Sequence, residues 1–196
     1  MAFSFPKQIL LASKSPRRSD LLKAMDIDFS IIDIEVDEDF SEDIKPEDLC
    51  LYLAEKKFNH VINNLDLGDS IVITADTVVI CDTEIMGKPA DINDARNKII
   101  RLSDRNHFVK TGVCLGNKIK KIVFSDTTEV IFDKLTDLEI DYYIQNYEVL
   151  DKAGAYGIQD WIGISKISAI HGSYSNVIGL PTQKLWKALN DFFYKN

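Results

Sequence analysis

The run Ile71-Val72-Ile73-Thr74-Ala75-Asp76-Thr77-Val78-Val79-Ile80 consists of strong β-formers interrupted by one carboxylate, and it limits the possible folds more than any other stretch. It reads as a buried strand. Desolvating an unpaired carboxylate is costly, so Asp76 must be paired, bound to a metal or turned towards a cleft. A satisfied aspartate at a bulge and a functional carboxylate account for it equally well. After a turn at Asp82-Thr83 comes Met86-Gly87-Lys88-Pro89. Lys88 stands between a flexible residue and a rigid one, so its backbone path is specified and its ammonium can be aimed.

The other informative stretches flank this strand. Ile9, Leu10 and Leu11 form a short apolar run, and Ser13-Lys14-Ser15-Pro16-Arg17-Arg18 leads from it into a helical pattern. Ser15 is a good N-cap and Pro16 suits a first helical turn, whose free N–H groups, with the serine hydroxyls and two guanidinium groups, suit a phosphate. A capped helix start with solvated arginines is the plainer reading. Asp28 to Val36 has a strand pattern and runs into Asp37-Glu38-Asp39, either a solvated loop or hard oxygen ligands for a divalent cation. Pro46 opens a helix with Leu49, Leu53, Ala54, Phe58, Val61 and Ile62 on its apolar positions; Lys56 and Lys57 on its polar face are of a kind normally solvated.

Further elements read as scaffold. Asp91 or Asn93 can cap a helix reaching Leu102, and His107 to Leu115 with Lys120 to Phe132 read as an antiparallel pair around Gly116-Asn117. Thr136 and Glu139 have capping-box spacing for a helix from Asp137 to about Gln145. Thr182 to Phe193 reads as a core-docking helix. Between them, Asp151 to Gln159 and Ile170 to Pro181 are dense in small residues that allow close backbone approach. Gln159 offers both donors and an acceptor, as reading a base edge requires; a turn-rich hinge explains the glycines equally well.

Composition narrows the function. With 196 residues, 45% of them hydrophobic, the chain can bury a full core and is expected to be one domain over residues 1–196, with room for two lobes. A formal charge of −8 argues against an extended nucleic-acid footprint, while a small anion held by local Arg and Lys remains compatible. Cys50, Cys81 and Cys114 have no paired spacing, so core thiols in a reducing compartment are expected. Without an apolar leader or a run of membrane-spanning length, a soluble cytoplasmic protein with neither nucleic-acid nor membrane partner is the default. Neither a P-loop nor a G-x-G-x-x-G motif occurs.

Taken in order, the motifs resemble the Maf family of nucleoside triphosphate pyrophosphatases over nearly the whole chain. The resemblance rests on Ser13 to Arg18, the acidic pair near Glu38, the helix lysine, Ala75-Asp76-Thr77, Gly87-Lys88-Pro89, Asp151 to Gln159, and Gly172-Ser173-Tyr174 with Gly179-Leu180-Pro181. The version at Asp151 to Gln159 is similar to the subgroup acting on dTTP and UTP, with modified pyrimidine nucleotides as further candidates. The resemblance implies a two-lobed, Maf/ITPase-like α/β fold around a long curved mixed β-sheet with flanking helices and a central cleft for the nucleotide. It implies hydrolysis to a monophosphate and pyrophosphate with a divalent metal, Mg or Mn.

By position, Ser13, Arg17, Arg18, Lys57 and Lys88 would hold the triphosphate, Glu38 and Asp76 would serve metal and water, and Thr77 and Gln159, with Arg17, match positions tied to substrate choice. Spacing from Leu53-Ala54 favours Lys57 over Lys56. Asp160-Trp161 departs from the family, which often has glycine after the glutamine. A homodimer is compatible with the resemblance. The family is also linked with septum formation, so a nucleotide-binding regulator of cell division is the alternative; a sensor has no need of a water-activating carboxylate, and Asp76 favours the enzyme.

Overall fold

The computed structural model describes residues 3–37, 39–41 and 43–195. They divide into two compact units, Met1–Asp76 with Thr111–Asp126 and Gly179–Asn196, and Thr77–Lys110 with Thr127–Ile178. The first holds β1 (Ile9–Ala12), α1 (Pro16–Ala24), β2 (Phe29–Ile32), α2 (Pro46–Asn64) and α7 (Thr182–Tyr194). The second holds β4 (Glu84–Ile85), α3 (Ile92–Leu102), α4 (Asp137–Asn146), a 3₁₀ turn at Ala153–Ala155, α5 (Trp161–Lys166), β7 (Ile167–His171) and α6 (Tyr174–Ile178). Strands β3 (Ile71–Cys81), β5 (Asn106–Gly116) and β6 (Lys121–Phe132) run through both.

The expected mixed α/β architecture is present. Among the described residues, seven strands form one sheet in the order β2-β1-β3-β5-β6-β7, with β4 pairing β3. β1 is parallel to β2 and β3, while β4 is antiparallel to β3 and β7 to β6. β5 and β6 are neighbours joined by a tight turn, closed by the Asn117 N–H donating to the Lys120 carbonyl at 2.9 Å. A link this short forces them antiparallel.

In the first unit, the period-two alternation of strands sorts the apolar side chains between two faces. Ile9, Leu11, Ile71, Ile73, Val113 and Leu115 pack with Leu22 of α1 and with Leu185, Ala188 and Leu189 of α7. Ala12, Val72 and Cys114 pack with Ala54, Phe58 and Val61 of α2. Helices therefore cover both faces, which is why β1 and the start of β3, Ile71 to Ile73, are unbroken apolar runs rather than alternating ones.

The second unit is held by polar clamps between helices and a ring cluster. Arg96 of α3 reaches Asp137 and Asp141 of α4 at 2.7 and 2.9 Å, and Glu139 of α4 pairs with Lys166 at 2.8 Å. Lys166 and the capping bonds together hold the Glu139 carboxyl down at about 2. The His107 Nε2 lies 2.7 Å from the Tyr156 hydroxyl, with Phe132 edge-on to both rings. All three cysteines are buried and none is in a disulfide, and burial pushes Cys114 up to about 12. Among the described residues, no helix is long and apolar enough to cross a membrane.

Local readings succeed or fail for identifiable reasons. Thr136 and Glu139 make both bonds of a capping box, and Asp91 rather than Asn93 caps α3 by accepting from the Asp94 N–H. Ser15 occupies the N-cap position of α1, but its side chain makes no capping bond; instead its N–H donates to the Ser13 Oγ at 3.2 Å. The strand expected over 28–36 pairs only at Phe29–Ile32, because its partner β1 ends at Ala12 and offers nothing further to pair with.

Candidate active site

Asp76 is paired. The Lys57 ammonium donates to its Oδ1 at 2.5 Å, and both side chains are 12% exposed. Lys56, one position earlier and so rotated about 100° around α2, donates to the Asp39 carbonyl on an exposed face. Two contacts fix α2 against the sheet at the depth the pair requires. The fully buried Thr74 hydroxyl donates to the Ala54 carbonyl at 2.7 Å. Thr74 lies two residues before Asp76, on the same strand face, and Ala54 lies three before Lys57, on the same helix side. At Gly112 of β5 the α2 backbone comes so close that a Cβ there would sit 2.4 Å from the Cys50 carbonyl oxygen.

β1 and β3 are parallel, with Leu11 opposite Ile73, so the same register carried on puts Ser13, just past the end of β1, opposite Ala75 and next to Asp76. This is the carboxyl end of the parallel strands, where open α/β sheets bind ligands. Ser13 is buried, and its Oγ accepts from the Ser15 N–H and, at 3.3 Å, from Arg18 Nη1. The Arg18 Nε donates to the Gly179 carbonyl at 2.9 Å, tying the first turn of α1 to the Gly179-Leu180-Pro181 segment. Arg17 is half-buried beside it. Lys14 turns away to Glu35 at 2.7 Å and Asp33 at 3.6 Å. A cavity of about 440 Å³ is lined by Ser13, Lys14, Ser15, Pro16, Ser19, Ile31 and Asp33. It takes in Ser13 but neither arginine, nor Lys57 or Asp76.

Thr77, Lys88 and Gln159 belong to the second unit. Thr77 is half-buried and Lys88 and Gln159 are exposed; among the described residues Lys88 makes no ion pair. The Gly154 N–H donates to the Met86 carbonyl at 2.9 Å and the Gly87 carbonyl at 3.3 Å, stitching the Lys88 turn to the segment bearing Gln159. Gly154 has φ +70°, and a Cβ there would press on the Val79 methyls at 3.3 Å, so the backbone conformation of this junction favours glycine. The departure at Asp160-Trp161 is absorbed by the fold: Asp160 is half-buried with its carboxylate facing Tyr143, and Trp161 opens α5 edge-on to Tyr142. Glu38 lies outside the described residues.

Sequence reasoning overlooked Thr74, Tyr143 and the Gly179 carbonyl. Thr74 carried one usable signal, a hydroxyl inside an apolar run two residues from the carboxylate. Tyr143 carried none, since an aromatic in an amphipathic helix is ordinary. For a metal, no group of three His, Cys, Asp or Glu side chains comes together among the described residues. A hard cation such as Mg is nevertheless held by one or two carboxylates plus substrate phosphates, and the lysine bond occupies only Oδ1 of Asp76, so the donor chemistry fits.

The fold and site thus define an α/β protein that gathers a buried lysine–carboxylate pair and an arginine-bearing helix start at the carboxyl edge of parallel strands. A family model described as Maf-like protein matches residues 8–192, and the chain belongs to the Maf family. It is 43% identical to the dTTP/UTP pyrophosphatase of Flavobacterium psychrophilum over 91% of this chain and 91% of that protein. It is 45% identical to the dTTP/UTP pyrophosphatase of Parabacteroides distasonis over 94% of this chain and 96% of that protein. A solved HAM1 protein from Coxiella burnetii, 16% identical, superposes with a TM-score of 0.40 over 64% of this chain and 73% of that one, too loosely to bear on function.

Proposed function

We propose that the protein hydrolyses dTTP and UTP to the nucleoside monophosphate and pyrophosphate. The observation that carries this reading is the similarity to dTTP/UTP pyrophosphatases over more than nine-tenths of each chain, and the buried Lys57–Asp76 pair supports it. Water attacks the α-phosphorus, the bond to the bridging oxygen breaks, and pyrophosphate leaves with the electron pair. Ser13, Arg17, Arg18, Lys57 and Lys88 bind the triphosphate and offset the charge growing on its oxygens, the guanidinium groups in bidentate fashion. Asp76 orients the attacking water or takes its proton. A divalent cation, Mg or Mn, held by Asp76 and Glu38, would neutralise further phosphate charge. Thr77 and Gln159 discriminate the base, an amide being able to donate and accept where a carboxylate only accepts. The three buried cysteines, none of them in a disulfide, suit a reducing cytoplasm.

The relatives are named for an enzyme, which favours turnover over the septum-regulator alternative. The test is product analysis across a panel of nucleoside triphosphates with added Mg or Mn. Equal amounts of pyrophosphate and monophosphate from dTTP and UTP are expected; orthophosphate as the sole phosphate product, or no turnover, overturns the reading.

A further inference from the structure

We propose that Tyr143 is a positioning residue for base selection, its phenol oxygen locking the turn that presents Gln159. This deepens the reading above and rests on Gln159 as a base-reading residue. The turn runs from Gly157 to Asp160 and is closed by the Asp160 N–H donating to the Gly157 carbonyl at 3.1 Å. One oxygen pins both of its ends. The Gly157 N–H donates to the Tyr143 Oη at 3.0 Å, and that hydroxyl donates to the Asp160 Oδ2 at 2.6 Å.

The surroundings make the pin rigid. Tyr143 is fully buried in α4, and burial holds its phenol well above the usual range, so it stays a donor throughout the neutral region. Lys152, its side chain 11% exposed, places its ammonium 3.8 Å from Asp160 Oδ2 and 3.0 Å from Asp151 Oδ1, which keeps the inward-facing carboxylate compensated. Ile158 is buried, and a Cβ on Gly163 of α5 would sit 2.1 Å from its carbonyl oxygen, so α5 backs the turn with no slack. Gln159 is the exposed residue of this turn, and among the described residues its amide makes no hydrogen bond. Its backbone is therefore held on both sides while its side chain is left for a ligand. A discriminating amide must be held in this way, since selectivity from a hydrogen bond disappears when the donor can wander.

The test measures kcat/KM for dTTP and for a purine triphosphate with wild type, Tyr143→Phe, Gln159→Ala and the double variant. Tyr143→Phe removes both bonds and is expected to lower the dTTP-to-purine ratio about tenfold, the effect of losing one to two such bonds. Because Tyr143 acts through Gln159, it should change the ratio no further in the Gln159→Ala background. Equal losses on both nucleotides, or a full additional ratio change in the double variant, would overturn the role of Tyr143 while leaving Gln159 as the base reader. An unchanged ratio in Gln159→Ala would remove the base-reading role itself and the proposal with it. Should Tyr143→Phe fail to fold, Asp160→Ala releases the same turn from its less buried side. It must then show the same ratio change, absent in the Gln159→Ala background; a uniform loss sinks the proposal.

Discussion

The two units hold their candidate residues in opposite ways. In the first, Lys57 and Asp76 are side chains fixed directly, buried between α2 and β3 and bonded to each other. In the second, Lys88 and Gln159 are exposed, and it is their backbone that is fixed, by the Gly154 bonds and the Tyr143 pin. The difference matches the chemistry proposed for each. Charge stabilisation at phosphorus gains most from groups that need no reorganisation, whereas a group that reads a ligand edge must be reachable and so stays in solvent until the ligand arrives.

The sharpest attempt to break this contrast is Asp76→Asn. It should lower kcat about a hundredfold or more, as loss of a general base does. It should also lower the melting temperature, since it leaves the Lys57 ammonium buried beside a neutral amide, and breaking a buried pair costs about 3–5 kcal/mol. Full activity in a folded variant would reduce Asp76 to a structural aspartate.

Acid tests the second unit through His107. Burial pulls His107 down to about 4 from an ordinary 6.5. The unfolded chain then binds the proton that the folded one refuses, so stability is complete above pH 6.5 and falls as pH drops towards 4. The loss should reach about 3 kcal/mol. Urea midpoints measured across this window should decline, and His107→Gln should flatten the slope; an identical slope in the variant would assign the acid sensitivity elsewhere.

Gly112→Ala forces a Cβ to within 2.4 Å of backbone at Cys50. α2 must move, taking Lys57 with it, and displacements on the order of 1 Å at a reacting centre can cost roughly a hundredfold. We expect kcat to fall at least about tenfold with dTTP and purine substrates losing alike, unlike the selective loss expected from the Gln159 turn. The mildest change, Thr74→Val, keeps shape and deletes the bond to the Ala54 carbonyl, for about 1 kcal/mol of stability and a kcat loss smaller than that of Gly112→Ala. A selective loss from either variant would erase the contrast between the units.

What could be read in advance was whatever local rules decide. The capping spacing of Thr136 and Glu139, the apolar periods of α2 and α7, and the unpaired look of Asp76 within Ile71 to Ile80 are each settled within a few residues. The end of β2 at Ile32 is not, because a strand is only as long as its partner allows and that partner is seventeen or more residues away. The same holds for Thr74 with Ala54, twenty residues apart, and for Tyr143 with Asp160, seventeen apart. Their importance lies in who meets whom, and no local pattern records that. Lys57 over Lys56 is an intermediate case: the resemblance asks for one lysine of α2, and the spacing from Leu53-Ala54 then picks the inward one.

The first unit is assembled from three separated stretches of chain, and the sheet face bearing Ile9, Leu11, Ile71 and Ile73 is covered in part by Leu185, Ala188 and Leu189 of α7. During synthesis these strands leave the ribosome more than a hundred residues ahead of their cover. At roughly 5–20 residues per second the wait lasts on the order of ten seconds, during which an apolar surface that ends up dry is open to water and to other nascent chains. A message truncated just before α7 would therefore yield a chain with every candidate site residue intact and yet prone to aggregate. For this fold, the safety of the product rests on the stretch of chain that carries none of its chemistry.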